Sequence, residues 1–343
     1  MRQLLNILYV TTPDAYLSLD GENVVVSKKE ETLGRIPLHN LQGIVAFGYV
    51  GASPALMGAC VKRNIALTFL TMHGRFLARA TGETNGNVLL RKEQYRASDK
   101  EEESLRYAKH FIKGKLFNAR WSIERTKRDY AMRLDTEPLT KASSFLQNSF
   151  FLVDSCADPE QLRGVEGEAA SVYFGVLDQM ILQQKEFFCF QTRNRRPPTD
   201  PVNALLSFVY TLLAHDTASA LETVGLDSYV GFLHRDRPGR ISLALDLMEE
   251  LRPVYADRFV LSLINKQQIK PAGFRKQENG AVMMEDETRK KILSLWQERK
   301  NETLTHPFLK QKISWGLVPY IQAQLLARSL RGDLDGYPPF LWK

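Results

Sequence analysis

The sequence predicts an α+β protein, a small N-terminal β-sandwich-like domain followed by a larger all-α C-terminal catalytic domain. Two patterns carry that prediction. Over residues 1 to about 80, short β-branched or aromatic runs alternate with turn residues, the signature of strands. Farther on, apolar residues recur at threes and fours, the signature of amphipathic helices. With 343 residues, 44% of them apolar, the chain has enough material for a core in each domain. The expected division is 1–81 for the β-rich domain, 82–92 for a linker and 93–343 for the helical domain.

The strand candidates are Ile7–Val10, Tyr16–Leu19, Val24–Val26, Ile44–Phe47 and Ala66–Leu70. Asp20-Gly21 lies between two of them and predicts a hairpin. One helix should interrupt the strands. Ser53 is a favourable N-cap, Pro54 a favourable first residue, and helix formers run from Ala55 to Arg63. The polar stretch Gly82–Gly86 reads as the linker. Leu105, Ala108, Ile112, Leu116, Ala119, Ile123, Tyr130 and Leu134 then outline a long helix, with Lys109, Lys113, Arg120, Lys127 and Arg128 on its other faces.

Further helical patterns cover 161–185, 201–223, 241–264, 284–300 and 306–331. Pro197-Pro198 breaks the chain between two of them, and Asn279-Gly280 predicts a small projecting hairpin. The last residues, Tyr337–Lys343, cannot be helical through their prolines and read as a mobile or partner-docking end.

Composition narrows the function classes. Lys and Arg number 46 against 39 Asp and Glu, a net charge of +7, which favours nucleic acid or another anionic partner. Cys60, Cys156 and Cys189 are far apart, against a zinc ribbon or a disulfide framework and in keeping with a reducing cytoplasm. No apolar run reads as long enough to span a bilayer, so no membrane role is expected. Nucleophile elbows, phosphate-binding glycine loops and dinucleotide fingerprints are missing.

Three segments offer hard or borderline metal ligands inside apolar sequence: Gly164-Val165-Glu166-Gly167-Glu168, Gly231-Phe232-Leu233-His234 and Asp246-Leu247-Met248-Glu249-Glu250. Carboxylates with one imidazole and no thiolate suit Mg2+ or Mn2+. Asp246 and Glu249 are three apart on one helix face, among leucines. Glu168 would point away from Glu166 on a helix, and Glu250 reads as an ordinary solvent-side charge. Taken singly, each candidate has a plainer explanation: a helix-end charge for Glu166, a packing histidine for His234, an exposed acidic edge for the Asp246 helix.

Taken together, Arg163-Gly164-Val165-Glu166-Gly167, Asp200-Pro201-Val202-Asn203-Ala204-Leu205-Leu206-Ser207, Gly231-Phe232-Leu233-His234 and Leu245-Asp246-Leu247-Met248-Glu249-Glu250 resemble the CRISPR-associated integrase (Cas-one) family over essentially the whole chain. Gly114-Lys115-Leu116-Phe117-Asn118 adds to the likeness, and the N-terminal part resembles the I-C subtype. The resemblance implies a metal site of Glu166, His234 and Glu249, with Asp246 as ligand or neighbour. It implies an active-site role for Tyr210, an ordering role for Asn203 and phosphate contacts for Arg237 and Arg240. Lys113, Lys115, Arg120 and Arg128 are expected on a DNA-binding face.

The activity implied is spacer acquisition: metal-dependent strand transfer of DNA 3′-hydroxyl ends to the CRISPR repeat, with endonuclease activity when water attacks instead. Expected partners are double-stranded and branched DNA, a second copy of the chain bound through the β domain, the small Cas-two protein and a Cas-four nuclease. The competing expectation is a non-catalytic DNA-binding scaffold whose acidic residues merely pair with Arg235, Arg237 or Arg240.

Overall fold

A computed structural model describes residues 6–29, 31–72, 76–80, 82 and 87–343. Of the expected linker, residues 83–86 lie outside the described residues. Two compact units emerge. One comprises residues 1–86 with 290–302, the other 87–289 with 303–343.

The first unit holds β1 (Asn6–Val10), β2 (Ala15–Asp20), β3 (Asn23–Lys28), β4 (Glu31–Pro37), β5 (Leu41–Phe47), β6 (Gly51–Ala52), helix α1 (Pro54–Lys62), β7 (Ala66–Leu70) and β8 (Phe76–Ala80). They form two four-stranded sheets, ordered β4-β3-β2-β6 and β1-β5-β7-β8. β2 and β3 make the expected hairpin, with Asp20 opposite Asn23. β5 and β7 run parallel. Parallel neighbours need a crossover, and α1 supplies it. Its N-cap is Ser53, whose side chain accepts from the Leu56 N–H. One core is built from both sheets and α1, including Leu17, Val24, Ile44, Leu56, Cys60 and Leu67.

The second unit begins with α2 (Val88–Asp99), α3 (Glu101–Tyr130), α4 (Thr136–Ser155), α5 (Pro159–Gly175), α6 (Pro201–Thr223) and α7 (Ser242–Glu249). A π-helical turn, Arg252–Asp257, joins α7 to α8 (Arg258–Asn265). Next come β9 (Phe274–Lys276), β10 (Val282–Met284), α9 (Asp286–Asn301), whose residues from 290 onward group with the first unit, β11 (Thr303–Thr305), β12 (Lys312–Ser314) and α10 (Val318–Leu330).

This unit is mainly helical but not all-α. β9 and β10 form the ribbon announced by Asn279-Gly280, and β11 and β12 form a second one where a helix from 306 was expected. The helix expected over 161–185 ends at Gly175. α6 is long and apolar enough to cross a membrane, contrary to the sequence reading, but 67% of its apolar window is buried. It is the central core helix of its unit.

The C-terminal tail is not loose. Tyr337 and Phe340 are buried. Asn118 on α3 donates to the carbonyls of Glu250 and Phe340, 2.6 Å each, and accepts from the Trp342 N–H at 3.0 Å. The tail and the C-terminal cap of α7 are thus stitched to the same asparagine.

Candidate active site

α5, α6, α7 and the π turn converge on a cavity of about 400 Å³. Glu166, His234, Glu249 and Tyr210 all line it, with Lys115, Arg193, Arg195, Arg237, Arg240, Arg252, Tyr173 and Asp257.

Glu166 sits mid-helix in α5, which begins at an Asp158 cap and Pro159. Its side chain faces the cavity, whereas that of Glu168 is exposed. Glu249 ends α7 and is almost wholly buried. The two carboxylates meet at one cation: Lys115 Nζ bonds Glu166 Oε1 and lies 2.8 Å from Glu249 Oε2. Arg252, one turn on, reaches the other Glu249 oxygen at 2.8 Å. Burial pushes the Lys115 ammonium down, but Glu249 and Glu166 outweigh it and its pKa ends raised. Burial opposes ionisation of Glu249, yet Arg252, Lys115 and His234 hold its pKa well below the ordinary carboxylate value.

His234 is held by Asp246. The imidazole Nδ1 lies 2.5 Å from Asp246 Oδ1, which also accepts from the His234 N–H at 3.0 Å. Asp246 Oδ2 accepts from the N–H groups of Phe232 and Leu233 at 2.6 and 2.9 Å. Both Asp246 oxygens are therefore engaged, and the residue orients the His234 ring instead of offering a free ligand atom. The Gly231 position explains itself here. A Cβ there would stand 2.7 Å from Asp246 Oδ2, so only glycine lets the loop close over the carboxylate.

Tyr210 Oη donates to Asp257 Oδ1 at 2.6 Å, and Tyr173 Oη to Asp257 Oδ2 at 3.0 Å. The guanidinium carbons of Arg193 and Arg252 lie 5.4 and 5.2 Å from the Tyr210 ring centre, within cation–π range. Burial raises the Asp257 pKa to about 6, against the pull of both phenols and both arginines. Arg193 is placed by the start of α6. Asn203 Oδ1 accepts from it at 2.6 Å, and Asp200 caps the helix by accepting from the Asn203 N–H at 2.8 Å. That is the physical content of the Asp200-Pro201-Val202-Asn203 motif.

Several expectations need correction. Glu250 is fully buried: Tyr337 donates to it, as do Gln322 and the Phe340 N–H, each of the latter at 2.9 Å. Lys115 belongs to the cavity and not to an open DNA-binding face. Lys113 is paired with Asp154 at 2.5 Å, and Arg120 packs over Trp121. Arg128, by contrast, is exposed and pairs with its neighbour Asp129. Among the ion pairs of the described residues, Arg235 pairs with Glu160 and not with Glu166, Asp246 or Glu249. Sequence reasoning missed Asp257 altogether, since Tyr255-Ala256-Asp257-Arg258 carries no motif; the only signal was an acid buried among apolar neighbours.

Carboxylates and an imidazole around one cationic centre form a suitable donor set for a hard divalent ion, and the Lys115 ammonium marks where positive charge is accommodated. Among the described residues, no three His, Cys, Asp or Glu side chains are already gathered closely enough to ligate one. A metal bound there would have to take over the place that Lys115 holds.

The family description "CRISPR associated protein Cas1" matches residues 8–298. A CRISPR-associated endonuclease Cas1 of Rhodospirillum rubrum is 50% identical and one of Chlorobaculum tepidum 49% identical, each with the whole of both chains covered. Among solved structures, a casposase bound to integration product superposes with a TM-score of 0.84 at 23% identity, covering 98% of this chain and 93% of the other.

Proposed function

This chain belongs to the CRISPR-associated Cas1 family, and on that footing we propose that it is a metal-dependent DNA endonuclease and integrase. It acts in spacer acquisition, joining the 3′-hydroxyl ends of spacer DNA to the CRISPR repeat. The observation that carries this reading is a single cavity lined by Glu166, Glu249 and His234 together with seven arginines, Arg163, Arg193, Arg195, Arg235, Arg237, Arg240 and Arg252. Acidic ligands and phosphate-binding cations in one place are what phosphoryl transfer requires.

Glu166, Glu249 and the Nε2 of His234 would hold Mg2+ or Mn2+, which would neutralise the scissile phosphate and stabilise the leaving oxygen. Asp246 fixes the imidazole, so that Nε2 faces away from the bonded Nδ1. Arg252 fixes Glu249. Arg237 and Arg240 lie at the cavity and favour the phosphates on either side of the reacting one. Exposed Arg128 contributes long-range attraction for DNA.

The partners on this reading are double-stranded and branched DNA, the small Cas2 protein and, where present, a Cas4 nuclease. We read residues 1–81 as a β-sandwich-like dimerisation domain, joined by the segment 82–92 to the catalytic residues 93–343, in a protein of the I-C subtype. Exposed Leu33 on strand β4 and Tyr16 on β2 support self-association there. Sedimentation at micromolar concentration should show a dimer; only monomer would remove that part.

The catalytic reading is tested by incubating the purified chain with branched DNA across a Mg2+ and Mn2+ titration. Cleavage and strand transfer should require metal, disappear in Glu166→Ala, His234→Ala and Glu249→Ala, and survive in Glu168→Ala. Wild-type protein with no metal-dependent activity would leave only the scaffold alternative.

A further inference from the structure

We propose that Tyr210 and Asp257 form a proton relay that accepts the proton of the attacking hydroxyl, with Asp257 as a positioning residue acting through Tyr210. The inference rests on the phosphodiester-transfer reading above and deepens it by naming the base.

The geometry restricts what Tyr210 can do. A phenol has one proton to donate, and that of Tyr210 is committed to Asp257 Oδ1 at 2.6 Å. Toward the cavity its oxygen can only accept. A phosphoryl oxygen has no proton to offer, so a direct hydrogen bond between it and Tyr210 is ruled out in this arrangement. A hydroxyl is the complementary partner. The atom that presents one in the reaction is the nucleophile, a 3′-hydroxyl in strand transfer or water in hydrolysis.

Asp257 is built to receive the proton. It is buried, each oxygen accepts one phenol, and it has no direct contact with the candidate metal ligands in the hydrogen-bond and ion-pair network of the described residues. The groups facing it are Tyr173 from α5, Tyr210 from α6, Arg193 from the segment before α6 and Arg252 from its own turn. Both arginines favour its ionised form, so it remains a carboxylate in neutral solution. Its pKa of about 6 is closer to neutrality than that of an ordinary aspartate, which suits a general base. Other acids at the cavity are less available. Glu166 and Glu249 are tied to Lys115 and Arg252, and Glu160 is paired with Arg163 and Arg235.

The hydroxyl oxygen bonds to phosphorus while its proton passes to Tyr210 Oη, and the Tyr210 proton passes to Asp257 Oδ1. The bond from phosphorus to the leaving 3′-oxygen breaks, and that oxygen takes a proton from water. The hydroxide so formed removes the proton from Asp257 through the cavity, restoring the carboxylate.

The test is the pH dependence of single-turnover strand transfer at saturating Mn2+. Wild-type rate should rise with pH through an inflection near the Asp257 value and then level off. Tyr210→Phe, which keeps the ring and the Tyr173–Asp257 bond, should lose that inflection and fall by about 10²-fold or more. Asp257→Asn should do the same. Tyr173→Phe removes a hydrogen bond to the ionised carboxylate, so the inflection should move to higher pH, a change that a purely structural role would not produce. Wild-type rate and profile in Tyr210→Phe, or an unmoved inflection in Tyr173→Phe, would overturn the relay while leaving the integrase reading standing. A wild-type protein with no metal-dependent transfer would overturn both.

Discussion

Lys115 Nζ lies 2.8 Å from Glu249 and bonds Glu166 as well, so one ammonium joins two carboxylates from helices that are far apart in sequence. The ion pair is largely enclosed. Lys115 is therefore the internal counter-ion of the cavity and a competitor for whatever cation the carboxylates bind.

Replacing it exposes that competition. Lys115→Met leaves Glu166 without its counter-ion and Glu249 with Arg252 alone, and breaking a buried pair from one side costs about 3 kcal/mol or more. Urea denaturation should show the loss in metal-free buffer. Adding Mn2+ should restore more stability to the variant than to wild type, since binding no longer displaces a lysine. Equal Mn2+ responses in the two proteins would contradict the role.

Asp246 should behave as an orienting residue. Asp246→Asn keeps the volume but cannot accept from three backbone N–H groups and an imidazole together. Metal-dependent activity should fall by about 10- to 100-fold, as for other partners of ligand histidines. Recovery of wild-type activity at high Mn2+ would identify the defect as weakened metal binding; full activity at ordinary Mn2+ would remove Asp246 from the site.

Glu250 imposes a pH dependence on stability. Burial raises its pKa from 4.5 to about 7, against hydrogen bonds from Tyr337, Phe340 and Gln322. The folded state thus binds this proton more tightly than the unfolded chain. The contribution is fully present below about pH 4.5 and is lost as pH rises through about 7, a change of roughly 3 kcal/mol. Glu250→Gln cannot titrate. Denaturation across pH 4.5–8 should show the stability difference, variant minus wild type, rising toward high pH. A constant difference would place Glu250 in a different environment from the one described.

The tail should be integral to the catalytic unit. Phe340 is fully buried and edges onto His306 and Trp315. Phe340→Ala should cost about 3–5 kcal/mol, measured by thermal or urea unfolding. A loss below about 1 kcal/mol would mean that the tail is dispensable in solution.

What the sequence discloses follows the range of the interactions. The α6 start, the Ser53 cap, the β2–β3 hairpin and the outward turn of Glu168 depend on residues within a few positions of each other, and local pattern exposes them. β4 escapes because its residues are mostly exposed or half-buried and lack apolar alternation. Glu250 is misread because its partners, Gln322, Tyr337 and Phe340, come from the end of the chain. The same holds for Lys115, whose basic helix context resembles a solvated face until Glu166 and Glu249 are brought to it. The triad of Glu166, His234 and Glu249 is visible through motif resemblance, whereas Asp257 has no local sign that distinguishes it from a surface acid.

The widened turn at Arg252–Asp257 also fixes a rotational phase. An α-helix turns about 100° per residue, so positions eight apart are offset by about 80°. A π turn rotates less per residue, and here it lets Glu249, three residues before it, and Asp257 at its end address the same cavity. If the same six residues wound as regular α, everything after the stretch would swing by roughly a quarter turn. Loss of one residue together with that rewinding would cancel the swing, so the widened turn and its residue count are a matched pair. Among relatives, a segment of this length should therefore keep the widened turn, and one shorter by a residue should run as regular α.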